Sequence, residues 1–207
     1  MKSKLFALVL AVLMTFVMTT GAMAASVLVP GTEPVVRTQA KNYAGKTVIL
    51  HSNDVHGAVD GYAYMTGLKA SLEAQGAEVI IVDAGDYSQG SIYVSTTKGA
   101  SAIDMMNAAG YDVATFGNHE FDFGYAQLVE NLSTAEFQYV CADVYLKDTG
   151  ELAFPASTIV EKGGVKVGFF GMETPETATK VNPGMITEIS FATFDDLYAA
   201  AESAVES

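Results

Sequence analysis

The 207-residue sequence has few positive charges. It contains 11 lysines and arginines against 24 acidic residues, a formal net charge of −13 at pH 7, and Arg37 is its one arginine. Because so acidic a chain repels phosphate backbones, the composition excludes nucleic-acid binding through a basic face. If the chain binds a phosphate group, positive charge must come from something other than its own side chains.

Cysteine is equally scarce. Cys141 is the single cysteine, so a disulfide bond within the chain is excluded. It lies in an apolar segment, residues 137–142, that has the pattern of a buried strand, and this predicts a packed, unreactive thiol. Half of all residues are apolar, which is typical of a chain with a core and not of a disordered one.

Long apolar runs are confined to the N-terminus. Lys2 and Lys4 precede an apolar run over residues 5–18, and the small-x-small triplet Ala22-Met23-Ala24 follows. This pattern predicts a signal peptide over residues 1–24, since the run is shorter than a membrane-spanning helix requires. We therefore expect an exported protein without a stable membrane anchor, in the periplasm, at the cell surface or outside the cell. An uncleaved anchor is the alternative.

The rest of the chain predicts an α/β fold. Residues 25–45 are interpreted as an extended leader, and residues 46–207 alternate strand and helix patterns, which indicates a sheet that begins parallel. Strands are predicted over residues 47–50, 79–82, 113–116 and 137–142, and helices over 62–75, 100–109, 125–135 and 195–206. Residues 158–161 and 165–170, joined by two glycines, predict a hairpin that would make the sheet mixed.

Polar clusters follow the first three strands. They are Asn53-Asp54-Val55-His56-Gly57, Asp83-Ala84-Gly85-Asp86 and Gly117-Asn118-His119-Glu120-Phe121-Asp122. Since the carboxyl ends of parallel strands share one edge, where open α/β sheets bind ligands, we expect the three clusters to converge. Taken singly, each has a simpler interpretation as a helix cap, a turn or a surface histidine. The recurrence after three strands favours a site.

The residue types in these clusters suit a divalent cation. Asp54 and His56 are two positions apart, so in an extended segment they would point the same way and offer half of a metal site. Asp86 adds a carboxylate whose two oxygens can bridge two ions, and Asn118 adds a neutral oxygen. His119 and Asp122 are close enough in sequence to form a carboxylate–imidazole pair that orients the ring.

Together the three motifs strongly resemble the calcineurin-like metallophosphoesterases, and within them the exported 5′-nucleotidase branch. Asn-His-Glu-Phe-Asp after a glycine, residues 117–122, is the specific part of the resemblance. It implies an α/β/β/α sandwich of four layers with a mixed sheet. Residues 46–207 would form only the amino-terminal part of that domain, so the sandwich would be incomplete and one apolar face exposed.

The resemblance also implies roles for individual residues. Asp54 and His56 would bind the first of two divalent metal ions of the Zn, Mn or Fe class, Asp86 would bridge both ions, and Asn118 would bind the second. The implied reaction is hydrolysis of nucleotide phosphate monoesters by a hydroxide held between the two metals. Two such ions would also supply the positive charge that this acidic chain lacks.

His119 would stabilise the phosphoryl transition state or protonate the leaving group, with Asp122 orienting its ring. The family supplies further histidine ligands downstream, whereas this chain has no histidine after His119. We therefore expect either the amino-terminal piece of a longer protein, with a C-terminal substrate-recognition domain missing, or a degenerate member of the family. The alternatives are a non-catalytic exported binding module on the same fold, a 2′,3′-cyclic nucleotide phosphodiesterase and a sulfur-ester hydrolase.

Overall fold

A computed structural model describes residues 42–206. The predicted signal peptide, residues 1–24, and most of the predicted leader, residues 25–45, lie outside the described residues. Four parallel strands form the central sheet in the order β1-β2-β3-β4. They are β1 Thr47–Ser52, β2 Glu78–Asp83, β3 Val113–Ala114 and β4 Gln138–Tyr139. The predicted α/β class is confirmed, although β3 and β4 are shorter than the sequence pattern indicates.

The described residues form six α-helices, of which the first four lie between the parallel strands and the last two follow the sheet. They are α1 Val59–Glu73, α2 Ile92–Ser95, α3 Ala100–Ala109, α4 Tyr125–Leu132, α5 Thr177–Lys180 and α6 Leu197–Glu206. The α3 bounds match the prediction because Gly110 ends the helix in a left-handed conformation, with φ of 72°. Two 3-10 helices, Asn118–Phe121 and Pro183–Met185, complete the helical segments of the described chain.

Strand β2 is covered on both faces, as its continuous apolar pattern predicts. Val79 and Ile81 belong to the main core, which includes buried residues of α3 and α4 such as Met106 and Leu128. Ile80, the residue between them, is fully buried in a second apolar cluster on the opposite face. The central sheet is therefore sandwiched between a helical layer and a further layer.

That further layer is the hairpin of β6 Ser157–Lys162 and β7 Val165–Phe170. Gly163 and Gly164 both have positive φ, 59° and 75°, as a tight two-residue hairpin turn requires. The expected mixed sheet is wrong in one respect, because β6 and β7 pair only with each other in a separate antiparallel sheet. The hairpin packs face to face on the central sheet through Val160 and its apolar neighbours instead of hydrogen bonding to its edge.

Helix α6 contacts β7, so the hairpin and this helix form the outer part of the fold beyond the central sheet. The hairpin is tied to the central sheet by Lys162, whose Nζ donates to the Val79 carbonyl at 2.7 Å and lies 2.7 Å from an Asp112 carboxylate oxygen. Apolar side chains remain exposed in these outer layers, among them Ile159 and Tyr198. This agrees with the expected incomplete sandwich.

A short antiparallel pair, β5 Val144–Leu146 with β8 Ile189–Phe191, was not predicted. It joins residues more than 40 positions apart, and neither segment is long enough to show a periodic pattern. Within residues 42–206, no helix has both the length and the apolar character needed to cross a membrane.

Candidate metal centre

The three polar clusters lie together at the carboxyl edge of the central sheet. Ser52 is paired with Asp83, and Asp83 with Ala114, so β1, β2 and β3 end at the same level. The loops after these strands carry the predicted site residues, and the third loop leads directly into the 3-10 helix Asn118–Phe121. The convergence expected from parallel strands therefore occurs.

Three side chains form a cluster that fits a metal ion. Donor atoms of His56, Asp86 and His119 all lie within 4.8 Å of one another. The two imidazole rings meet edge to face, with centroids 5.0 Å apart. Asp54 joins them, since its Oδ1 lies 3.6 Å from His56 Nε2. Two imidazoles and two carboxylates are a donor set that suits Zn²⁺, Mn²⁺ or Fe²⁺, so the residues present fit a divalent cation.

The backbone at this cluster is left-handed, and the extended geometry expected for Asp54 and His56 is wrong. Asp54, His56 and Asp86 have φ of 53°, 47° and 61°, and Lys98 is the one other non-glycine residue between 42 and 206 with positive φ. This conformation costs about 1 kcal/mol or more per residue and is concentrated at functional sites. It is held here by cross-loop hydrogen bonds from Asp54 N to the Gly85 carbonyl at 3.0 Å and from His56 N to the Asp86 carbonyl at 2.9 Å.

Two glycines allow the second and third loops to touch. A Cβ atom on Gly85 would lie 2.4 Å from the Gly117 nitrogen, and one on Gly117 would lie 2.3 Å from Asp86 Oδ1. Both distances are shorter than real contacts permit, so only glycine fits at either position. The close approach lets the His119 amide donate to Asp86 Oδ1 at 3.0 Å.

His119 and Asp122 form the expected pair. His119 Nδ1 lies 2.6 Å from Asp122 Oδ2, and both side chains are about three-quarters buried. Burial by itself lowers the pKa of the His119 imidazole, but the hydrogen bond and negative charge of Asp122, with Asp86 and Glu120, raise it above its ordinary value. The pair can therefore hold a proton on the ring at a higher pH than an isolated histidine.

Asn118 is the first residue of the 3-10 helix and is partly exposed. It directly precedes His119, at the same edge of the sheet as the cluster. The second histidine, His56, is oriented by a backbone contact, because its Nδ1 lies 3.2 Å from the Gln89 carbonyl oxygen. Such an outer contact selects which ring nitrogen is available to a metal.

Glu120 is a residue of this site that the sequence motifs did not single out for a role. Its side chain is 2% exposed, and its carboxylate accepts four backbone N–H bonds of 2.7–2.9 Å from Asp86, Tyr87, Ser88 and Gly117. Burial raises the pKa of Glu120, and the amide hydrogen bonds oppose that rise. Its position inside a polar cluster was visible in the sequence, but its burial was not.

Asp83, the last residue of β2, stabilises the start of the Asp86 loop. It accepts hydrogen bonds from the Gly85 amide at 2.8 Å and from the Ser52 hydroxyl at 2.5 Å, and that hydroxyl also contacts Tyr111 Oη at 2.7 Å. Burial raises the pKa of Asp83 to about 7. This carboxyl therefore fixes the turn that leads from β2 into the Asp86 loop.

A second pair of buried carboxyls, Asp143 and Glu173, lies beyond β4 and β7. Asp143 Oδ1 accepts from the Glu173 amide at 2.8 Å and from the Cys141 thiol at 3.3 Å, and burial raises the pKa of this fully buried thiol, as its predicted inertness requires. Burial also raises the pKa of Glu173 to about 7. One oxygen of each carboxyl, Asp143 Oδ2 and Glu173 Oε2, has no hydrogen-bond partner among the described residues.

Positive charge is absent from the immediate site in the part of the chain that the structure describes. The lysine–carboxylate pairs between residues 42 and 206 lie elsewhere, at Lys162–Asp112, Lys166–Glu161 and Lys180–Glu176. None of them involves Asp54, Asp86 or Asp122. The site is therefore strongly negative, as a cation-binding site is.

The comparisons with known proteins agree with this geometry. A sequence model described as "Calcineurin-like phosphoesterase" matches residues 47–196. The 5'-nucleotidase of Vibrio vulnificus is 31% identical over 157 residues, covering 70% of this chain and 28% of the relative. The snake venom 5'-nucleotidase of Gloydius brevicauda is 36% identical over 163 residues, covering 68% of this chain and 27% of the relative.

Among solved structures, the 5'-nucleotidase precursor from Thermus thermophilus is similar, with a TM-score of 0.65 and 28% identity. The likeness covers 76% of this chain and 33% of that one. The chain thus spans less than a third of the length of the two curated relatives, 28% and 27%. The range matched by the family model, residues 47–196, contains all three polar clusters.

Proposed function

We propose that this chain, which belongs to the calcineurin-like phosphoesterase family, carries the metal-binding and proton-donating part of a hydrolase for nucleotide phosphate monoesters. The observation that supports the proposal most is that donor atoms of two proposed metal ligands, His56 and Asp86, and of the proposed proton donor His119 lie within 4.8 Å of one another in a chain of net charge −13. A phosphate monoester is a dianion, and only a bound cation can hold it at so negative an edge. The 5'-nucleotidases among the relatives favour a nucleotide substrate.

In this proposal Asp54, His56 and Asp86 hold one divalent ion, and Asp86 and Asn118 contribute to a second. When bound, the ions would supply positive charge for the phosphate and lower the pKa of a coordinated water. The proposed ions belong to the Zn, Mn or Fe class, since all three metals accept nitrogen and oxygen donors. The left-handed backbone at Asp54, His56 and Asp86 supports this assignment, because strain is retained where a site needs it.

His119 would act on the substrate, with Asp122 orienting its ring. Asp122 holds His119 Nδ1 at 2.6 Å, which leaves Nε2 as the ring nitrogen free to meet the substrate. A proton held on Nε2 would stabilise charge on the phosphoryl oxygens or pass to the leaving oxygen. Asp122 would keep the ring in one orientation through this contact.

The relatives are far longer than this chain, so we propose that further ligands of the second ion and the nucleoside-recognition surface belong to sequence outside the 207 residues. We also propose export, with cleavage after Ala24. The mass of the secreted chain would test this, because cleavage there leaves Ala25 as the first residue. A secreted chain that retains residues 1–24 would contradict the signal-peptide assignment.

The enzymatic proposal is tested by phosphate release from AMP with Mn²⁺ or Zn²⁺ added, for the 207-residue chain and for the complete product of its gene. We expect release by the complete product, and little by the chain alone. His119→Ala and Asn118→Ala should each reduce release, whereas Glu202→Gln on the exposed face of α6 should not. No release by any form, with variants indistinguishable from the parent, would remove the enzymatic proposal.

A binding module without turnover is the second candidate, favoured by the absence of histidine after His119. Tight Mn²⁺ binding without phosphate release by the complete product would support it. Including a 2′,3′-cyclic nucleotide in the same assay separates a phosphodiesterase from a monoesterase.

A further inference from the structure

Glu120 connects two of the three loops of the metal centre. Its Oε2 accepts the amides of Asp86 at 2.8 Å and Gly117 at 2.7 Å, and its Oε1 accepts those of Tyr87 and Ser88, both at 2.9 Å. Three of the four donors lie on consecutive residues of the second loop, and the fourth opens the third loop. Strand pairing between β2 and β3 stops at Asp83 and Ala114, and beyond that point this single buried carboxylate links the two loops.

Other contacts also hold the second loop, among them the His56 amide on the Asp86 carbonyl at 2.9 Å, but Glu120 is the acceptor of three consecutive backbone amides in it. Asp86 has a left-handed backbone with φ of 61°, and it stands between β2 and the short helix α2, outside both elements. Without Glu120, the amides of Asp86, Tyr87, Ser88 and Gly117 would lose their acceptor in a largely buried place, and a buried donor left unpaired is destabilising. The position of the Asp86 side chain therefore depends on a residue that itself offers no ligand.

We propose that Glu120 is a positioning residue, whose four amide hydrogen bonds fix Asp86 in its metal-binding conformation, so that ion affinity depends on Glu120 without contact to the ion. This inference rests on the proposed function only in taking Asp86 as a metal ligand. It assigns Glu120 no part in substrate chemistry.

Two explanations of the role of Glu120, hydrogen bonding and simple negative charge, predict different metal affinities for two variants. Glu120→Gln keeps the shape but replaces one acceptor oxygen with an NH₂ group, which directs hydrogens at amides that are themselves donors. Glu120→Asp keeps the charge but withdraws both oxygens by one methylene. If the hydrogen bonds position Asp86, both variants lose affinity. If charge alone matters, only Glu120→Gln does.

The test is calorimetric titration of Mn²⁺ into the full 207-residue chain, with thermal melting of the metal-free proteins alongside. We expect both variants to bind Mn²⁺ about tenfold to 100-fold more weakly than the parent, the range typical of lost outer contacts at metal sites. Glu73→Gln, an exposed glutamate at the end of α1, is the matched control and should bind like the parent. Parental affinity in Glu120→Asp, or in both variants, would overturn the proposal.

Amide hydrogen exchange of the metal-free parent keeps the test decisive if the variants do not fold. We expect the amide hydrogens of residues 86, 87, 88 and 117 to be protected, and exchange at the rate of an open loop would overturn the proposal. The two proposals also separate. A parent that binds Mn²⁺ but gives no phosphate release in the complete product ends the proposed function alone, whereas an active enzyme with unaffected Glu120 variants ends this inference alone.

Discussion

Gly117→Ala places one methyl group between the two central loops of the site. Gly117 has φ of −110°, which alanine adopts without strain, so the backbone conformation itself tolerates the change. The added Cβ, however, would lie 2.3 Å from Asp86 Oδ1 and 2.6 Å from Asp86 Cγ. The variant therefore perturbs one predicted metal ligand by steric contact alone.

The size of the effect follows from the distances. Carbon–oxygen contacts are ordinarily about 3.3 Å or longer, so the Asp86 carboxylate or the Gly117 backbone must move by about 1 Å. A displacement of that size at a catalytic constellation typically costs about 100-fold in rate, or about 2.7 kcal/mol. The His119 amide would lose its acceptor as well, because it donates to the same Asp86 oxygen.

The assay is Mn²⁺ affinity of the 207-residue chain, together with phosphate release from AMP by the complete gene product. Gly168→Ala in β7 is the matched control, since a Cβ there would meet nothing within 4 Å. We expect Gly117→Ala to bind Mn²⁺ at least tenfold more weakly and Gly168→Ala to match the parent. Equal affinity in the two variants would refute the argument that close loop contact places Asp86.

Three other predictions follow from the described contacts. Asp122→Asn should lower the pKa of His119, because the partner that outweighs its burial is lost, and an NMR titration of the ring that shows no decrease would contradict this. The free energy of unfolding of Glu173→Gln, taken relative to that of the parent, should rise on the order of 1–3 kcal/mol between pH 4.5 and about pH 7. The raised pKa means that the folded parent keeps a proton that its unfolded chain releases, and urea unfolding at pH 4.5 and pH 8 that shows the same difference at both would contradict the assignment. Ile80→Ala should cost about 2–5 kcal/mol by opening a cavity between the sheet and the hairpin, and urea unfolding that shows a loss below 1 kcal/mol would argue against the two-sided burial of β2.

The fold was predictable where local patterns are strong. The apolar run of β2 and the glycine that ends α3 each carry their own signal, and both elements appear where the sequence places them. The hairpin was predictable for the same reason, but its partner was not. Whether β6 and β7 join the central sheet by hydrogen bonds or pack on its face depends on tertiary contacts of Val160, which leave no mark on local periodicity.

The site was predictable as a set of residue types at one edge, and less so as a geometry. Strand order alone brings Asp54, His56 and Asp86 together, but their left-handed backbone depends on hydrogen bonds between loops that are distant in sequence. The role of Glu120 depends on burial of a carboxylate among backbone amides, and a glutamate in a polar motif is most simply interpreted as exposed. Such contacts become visible only when the loops are placed against each other.

Anomalous diffraction from crystals of the chain soaked in Mn²⁺ tests the central claim most directly. The account predicts an anomalous peak ligated by Asp54, His56 and Asp86. Crystals that diffract well at saturating Mn²⁺, with no peak at these residues or with the peak elsewhere on the surface, would contradict it.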